Sequence, residues 1–538
     1  MLLSVLPVAA VVLPTLLLIR YAYLHGNRRR DMPTGPPTLP IIGNLHQIPK
    51  AYTHIKFTEW ARQYGGLYTL KLGSGTMAVI TDRRLVKDVV DKKSGIYSHR
   101  PPSFVSHDLI TKGNHLLVMH YGDKWRTFRR LVHQHLMKPM VHSEHVKIVN
   151  AEAVQLVMDY MRDPEGHMLH PKRFSNSITN SIVFGIRTKD REGRYMKRLY
   201  SLMEEWSEIM ETGATPPVDI FPWLKYIPES LFGNYVTRAK SIGHQMETLY
   251  ADILNQVLAR RESGARLGSF MDRVLDSQEK NGLPWEQLCF IGGVLMEGGS
   301  DTSSSLILAI VQALILNPDV QRKAHAEIDA VVGPDRSPVW EDMKNLPYIN
   351  CIVKEGHRWR PILPLCFPHA LGEDDWVDGK FLPKGTIVVI NTWGMHMLEN
   401  TQPSSTQPVE KQVVRNLEHF DPDRYMSHPS LAPVYASGSW QSRDHYGYGV
   451  GRRICPGIHL AERNLLLAIA KLIWAFDFEM RMGEDCDDDP VTGYHQGFLY
   501  CPKGYGVSAK VRSEERRQTV EREFGDAERD IFSQFTAG

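Results

Sequence analysis

The run Asp444-His445-Tyr446-Gly447-Tyr448-Gly449-Val450-Gly451-Arg452-Arg453-Ile454-Cys455-Pro456-Gly457 limits what this chain can become more than any other. A cysteine sits among glycines and arginines, and an apolar, helix-patterned segment, Ile458 to Phe476, follows at once. Glycines let backbone N–H groups come close to the sulfur. Pro456 suits the first turn of a helix, where a missing N–H costs nothing. A helix N-terminus and nearby guanidinium groups both favour a thiolate, so the thiol is expected to have a depressed pKa. Two readings follow: a cradle for a metal-bound sulfur, or a buried structural cysteine at a Gly-rich turn.

Elsewhere the chain limits the choice. At 538 residues and 42% hydrophobic it can bury a large core. A net charge of +2 leaves no basic excess for nucleic acid. The cysteines at 289, 351, 366, 455, 486 and 501 form no CxxC pair, against a disulfide framework or a zinc site.

Residues Leu2 to Ile19 are nearly all apolar and uncharged. Eighteen helical residues span about 27 Å, enough for a thin bilayer. Arg20, Arg28, Arg29 and Arg30 all follow on one side, which places the body in the cytosol by the positive-inside rule. Without a basic n-region or a small-residue cleavage site, a transmembrane anchor over 1–20 is favoured over a cleaved signal. A basic, Pro-rich linker is expected over 21–44, one unit over 45–512 and a charged tail over 513–538. The unit should be mainly α with small β-sheets. Gly66–Leu72 and Thr76–Thr81 read as a hairpin, and Lys124–Met137, Ser143–Met161 and Gly193–Met210 as helices.

Pro284 opens a helical pattern to about Leu316 that contains Gly292, Gly293, Gly298 and Gly299. Each glycine costs a helix about 1 kcal/mol relative to alanine. Either another helix packs closely there, or a flat ligand lies against Gly298 and Gly299 with Asp301 and Thr302 beside it. Thr302 can bond back to a carbonyl four residues earlier and open a turn. Trp125 and Arg129 share a helix face and could reach one anionic partner, though core plus solvated charge is the plainer account. Glu355 and Arg358, three apart among apolar residues, read as a buried pair.

Together these segments resemble the cytochrome P450 haem-thiolate monooxygenases, most closely the microsomal fungal type. The family's Phe-x-x-Gly-x-Arg-x-Cys-x-Gly motif matches Tyr448, Gly451, Arg453, Cys455 and Gly457, with Tyr for Phe. Its central-helix motif matches Gly298, Gly299, Asp301 and Thr302, its Glu-x-x-Arg matches Glu355 and Arg358, and its Trp-x-x-x-Arg matches Trp125 and Arg129. Phe420 to Tyr425 resembles the segment before the cysteine loop, whereas 397–419 is longer than usual and polar.

The resemblance implies a cytochrome P450 fold behind one transmembrane helix, and haem b with Cys455 as axial thiolate ligand. Trp125, Arg129, His369 and Arg453 are expected at the haem propionates, Tyr448 against the haem on the cysteine side, and Gly298 and Gly299 at its distal face. Asp301 and Thr302 are expected to deliver protons, while Glu355, Arg358 and Arg424 lock the cysteine loop. It implies insertion of one oxygen atom of O₂ into a small hydrophobic substrate. Electrons would come from NADPH through a flavoprotein reductase, with Arg126, Arg130 and Arg452 as part of its docking face. The setting expected is the endoplasmic reticulum membrane and fungal secondary metabolism. An O₂-independent isomerase or dehydratase, a catabolic hydroxylase, and a haem-binding sensor are the alternatives. Substrate contacts are expected from Ser103–His115, near Met296, Leu363–Phe367, and Phe498 and Leu499.

Overall fold

The computed structural model describes residues 12–13, 15–17, 20, 25–398, 417–495, 497 and 499–537. Most of the anchor expected over 1–20, the polar insertion within 397–419 and the candidate Phe498 lie outside them.

The expected hairpin forms from β1 (Leu67–Leu72) and β2 (Gly75–Ile80), paired antiparallel with Leu67 opposite Ile80. A short strand β3 (Ile186–Arg187) comes later. Two further strands, β4 (His369–Ala370) and β5 (Ile387–Ile390), complete a four-stranded sheet of order β1-β2-β5-β4. In it β5 runs parallel to β2, and Met77 faces Ile387. Strands β6 (Phe476–Met480) and β7 (Val507–Val511) form a separate antiparallel ribbon, and β8 (Thr536–Ala537) pairs with β3.

The principal helices are α1 (Asp123–Leu136), α2 (Val146–Arg162), α3 (His170–Phe184), α4 (Arg194–Met210) and α5 (Tyr235–Glu262). They continue with α6 (Trp285–Leu316), α7 (Pro318–Val331), α8 (Pro347–Trp359), α9 (Ile458–Ala475) and α10 (Glu514–Asp530). Among the described residues, α6 is the one helix long and apolar enough to cross a membrane. It is mostly buried inside the fold, and α2, α3, α8 and α9 share its core.

Helix α3 is buried at every residue but Lys172, although it is rich in Ser and Asn. Some of its polar groups are satisfied internally: Ser177 Oγ donates to Glu152 at 2.7 Å, and Asn176 to Ser300 Oγ at 3.0 Å, whereas Ser175 Oγ and Ser181 Oγ have no hydrogen-bond partner among the described residues. Arg173 pairs with Glu152 and Asp159, each at 2.6 Å. A buried polar network of this kind is stable only because its members find partners.

Packing also accounts for most of the α6 glycines. A Cβ at Gly293 would lie 2.3 Å from the Tyr250 ring, at Gly292 2.7 Å from Phe184, and at Gly299 2.4 Å from Thr179 Oγ1. Gly298 alone of the four faces open space. The helix is continuous through Thr302, whose Oγ1 donates to the Gly298 carbonyl at 2.9 Å, so the expected opened turn does not form.

Both segment boundaries drawn from composition are crossed by contacts. Arg28 donates to the Thr69 carbonyl at 2.7 Å, and Asn44 N–H to the Lys71 carbonyl at 2.6 Å, so the Pro-rich stretch is tied to the sheet. The tail is not separate from the body at residue 512. Arg516 on α10 pairs with Asp329 at 2.7 Å, and Glu523 accepts from the Ser337 N–H at 2.9 Å.

Replacing Gly293 by Ala should lower stability by about 1–3 kcal/mol through overpacking against Tyr250. In α10, Gly525→Ala meets nothing and should raise it by up to about 1 kcal/mol. Thermal denaturation of the two variants against the parent checks the opposite signs.

Candidate functional site

The cysteine loop is shaped from behind. Gly451 adopts φ +58°, and a Cβ there would lie 2.6 Å from the Val90 carbonyl, so this turn needs glycine. Cys455 N–H donates to the Tyr448 carbonyl at 2.8 Å, and Gly451 N–H to Asp91 at 2.8 Å. Arg443 donates to the Gly449 carbonyl, and Arg83 to that of Arg443 at 2.8 Å.

Helix α8 supplies the frame. Glu355 and Arg358 are both fully buried and pair twice, each at 2.7 Å. Arg358 also donates to the carbonyls of Leu417 at 2.8 Å and His419 at 3.1 Å. Arg424 and the Asp421 N–H reach Glu355 at 3.3 and 2.8 Å. Successive positions on the same helix hold the loop itself. Lys354 pairs with Asp444 at 2.6 Å, both buried, and His357 Nε2 meets the Tyr448 hydroxyl at 3.3 Å. His357 stacks on His445 at 4.2 Å, and His445 meets the Tyr435 hydroxyl at 2.6 Å. Burial drives His357 down to about 3, so the stack is neutral. Tyr448 packs beside Cys455 as expected, yet its hydroxyl points back to α8 and it is not part of the cavity wall.

In front of Cys455 lies a cavity of about 240 Å³ between the loop with the start of α9 and the middle of α6. Trp125, Arg129, Arg453, Gly298, Gly299 and Thr302 border it, so the structure brings most of the singled-out residues together. Arg453 lies over the Trp125 ring at 4.5 Å and donates to the carbonyls of Ser98, Leu116 and Met119. Arg129 donates to the Ile454 carbonyl at 2.5 Å. A third guanidinium, Arg100, joins them with donations to Leu117, Phe367 and Pro368 carbonyls. Sequence reading missed it, because a lone arginine before Pro101-Pro102 carries no periodic or motif signal.

None of these three arginines has a carboxylate partner among the described residues. Burial and then Arg129 push Arg453 down to about 9, and burial lowers Arg100 strongly. Arg100 is buried and the other two are half-buried; such cations without an acid beside them are costly, and a flat dianion would neutralise them. The sulfur accepts the Gly457 N–H and is otherwise available. An apolar slot with acid-binding groups at its edge, a thiol on one face and the bare Gly298 on the other fits a haem.

Three expectations are corrected. Burial pushes the Cys455 thiol up, not down; the Gly457 N–H and Arg129 oppose it without prevailing. Metal coordination is what deprotonates such a thiol. His369 is buried and held near 3 by burial and Arg100. Its Nδ1 donates to the Tyr97 carbonyl at 2.7 Å, so the neutral ring has no N–H left for a carboxylate, and it is not part of the cavity wall. Gly299 serves helix packing through Thr179 rather than clearance over a ligand.

Asp301 points away from the cavity toward Lys172 and the Ser304 hydroxyl, and burial raises its carboxyl pKa. Of the substrate-contact candidates, His115, Leu499 and the stretch of α6 near Met296, through Val294, Leu295 and Glu297, border the cavity. Met296 is core, and Phe367 lies under Arg100 at 4.7 Å. Arg126, Arg130 and Arg452 are exposed.

The family model for cytochrome P450 matches residues 33–509. The chain is 73% identical to cytochrome P450 monooxygenase patH of Aspergillus clavatus, over 99% of this chain and 98% of that protein. It is 70% identical to cytochrome P450 monooxygenase acuC of Aspergillus aculeatus, over 97% of each. Among solved structures, a zebra fish cytochrome P450 with progesterone superposes with a TM-score of 0.67 at 21% identity, covering 85% of this chain and 99% of the other. That likeness shows the fold.

Removing one partner of the α8 pair, as in Glu355→Ala, leaves Arg358 buried and uncompensated. It should cost about 3–5 kcal/mol and abolish haem retention. Tyr448→Phe removes one hydrogen bond, costs about 0.5–1.5 kcal/mol and should keep the haem. Haem content per protein, with chemical denaturation, separates the two outcomes.

Proposed function

This chain belongs to the cytochrome P450 family and is a cytochrome P450 monooxygenase, and from that premise we propose that it inserts one oxygen atom of O₂ into a small hydrophobic substrate of fungal secondary metabolism. The observation that carries this reading is Cys455 facing Gly298 and Thr302 across a cavity edged by Arg100, Arg129 and Arg453.

Bound haem supplies O₂ activation and oxygen transfer. Cys455 Sγ, which accepts the Gly457 N–H, would ligate its iron. Trp125 and the three arginines would hold its propionates by charge-assisted hydrogen bonds. Thr302 Oγ1 stands at the cavity wall and passes protons inward. Asp301, with its carboxyl pKa raised by burial, holds a proton on the Lys172 side and relays it toward Thr302. The intact Asp301–Thr302 pair favours O₂ chemistry over an isomerase that needs no proton delivery.

Electrons come from NADPH through a flavoprotein reductase, which docks where Arg126, Arg130 and Arg452 are exposed. Helical Val12, Leu13, Leu16 and Leu17 are solvent-exposed. Together with the arginines after residue 19 they support a single-pass anchor in the endoplasmic reticulum membrane and a cytosolic body.

The reduced, CO-bound protein should show the family's red-shifted thiolate band, and Cys455→Ser should lose it. Asp301→Asn should keep the band and lower NADPH-dependent product formation about a hundredfold. Turnover that proceeds without NADPH would establish the isomerase instead.

A further inference from the structure

The chain continues beyond residue 509, where its match to the family model ends, and the extra length grips two walls of the haem cavity. One wall is α9, whose Leu460, Ala461 and Asn464 border the cavity. The other is α3, which contributes Thr179, Ile182 and Val183 and leads through Gly185 into β3. Between them, α10 packs on α2 with Val520, Phe524 and Ala527, spaced to share one buried face. A hollow of about 370 Å³ remains beside Met158, Phe524 and Gly525, so this seat is only partly filled. The two ends of the tail carry more of the hold.

The grip on α9 is a polar relay. Lys471 has no exposed surface, and its Nζ donates to Ser337 Oγ. Ser337 Oγ in turn donates to Glu523 Oε2 on α10, while the Ser337 N–H reaches Oε1 at 2.9 Å. Burial pulls Lys471 down to about 8, and Glu523 opposes this more than Asp342 does. Asp342 is already held by Arg336 at 2.6 Å. A buried ammonium without an acid is costly, so α9 needs the carboxylate that the tail brings. Arg516 adds a second hold, lying over the Trp474 ring of α9 at 5.6 Å.

The grip on the other wall follows α10. The Arg187 guanidinium of β3 lies over the Phe532 ring at 3.4 Å, and β8 pairs parallel to β3 with Thr536 beside Ile186. Arg187 pairs with Glu152 at 2.7 Å, and Glu152 also holds Arg173 and Ser177 of α3. We infer that the tail over 513–537 is a strap that holds α3 and α9 together and so sets how fast haem leaves the cavity. The inference rests on the monooxygenase reading, which puts haem there. Lys471, Ser337 and Glu523 form one clasp, and Phe532 under Arg187 forms the other.

The test uses full-length holoenzyme and follows haem transfer to excess apomyoglobin, with amide hydrogen exchange as a second readout. Glu523→Gln should speed transfer about fivefold, because the Lys471 charge loses its counter-ion. Phe532→Ala should speed it about threefold. Both should hasten exchange in α10 while α8 keeps wild-type protection. Initial NADPH-dependent turnover should match wild type, since neither residue borders the cavity. In a Lys471→Met background no cation needs the acid, and Glu523→Gln should change the transfer rate by less than about twofold. If Lys471→Met fails to load haem, Lys471→Gln replaces it with the same expected result. An unchanged transfer rate in either single variant, or a Glu523→Gln effect that persists without the lysine, overturns the inference. A wild-type protein without the thiolate band overturns instead the monooxygenase reading beneath it.

Discussion

The double hydrogen bond between Glu355 and Arg358 is the interaction on which the site depends. An ion pair with no exposed surface is a poor source of net stability, because desolvation offsets most of the attraction. Its value here is geometric. Arg358 spends its remaining donors on the carbonyls of residues 417 and 419, and Glu355 accepts from Asp421 and Arg424. The segment entering the cysteine region is thus clamped to α8 at several points. One residue before each member of that pair, Lys354 and His357 clamp Asp444 and Tyr448. One helix, through two adjacent faces, therefore fixes both ends of a loop that has little regular hydrogen bonding of its own.

The front of the loop follows the opposite logic. Arg100 is buried and Arg129 and Arg453 are half-buried, none with an acidic partner among the described residues, and burial lowers the pKa of each. The protein alone is electrostatically incomplete there. The free energy that would have gone into internal ion pairs is left for a ligand with acid groups, and the binding of such a ligand is coupled to the stability of the fold. The same holds for Cys455, whose burial disfavours the free thiolate and leaves deprotonation to the metal.

Much of this was legible in the chain, for identifiable reasons. Helices α1, α4, α6 and α9 and the β1–β2 hairpin carry strong periodicity or unbroken apolar runs, and they form within a few residues of the expected bounds. The residues within each of the five motifs sit close in sequence, so the resemblance to the family could group them. What stayed hidden depends on distant contacts. Helix α3 is buried on all sides although it is rich in Ser and Asn, and Ser177 and Asn176 find their partners on the distant α2 and α6. Arg100 is a single polar residue whose setting beside Arg129 and Arg453 exists only after folding. The linker and tail were set apart by composition, yet Arg28 and Arg516 tie them to the body. The thiol's pKa was misjudged because neighbouring charges can be read from sequence and burial cannot.

The notch at Gly293 has a bearing on how such an enzyme can diversify. Tyr250 packs into that notch with its ring and reaches Glu297 with its hydroxyl, so one side chain is shared between helix packing and the chemistry of the cavity wall. The two roles cannot drift apart independently. A lineage that changes position 293 shifts the ring, and with it the carboxyl, before any cavity residue mutates. A lineage that replaces Glu297 leaves a buried hydroxyl that must find another acceptor. Divergence in this wall is therefore epistatic: new ligand preferences become accessible through paired steps across α5 and α6.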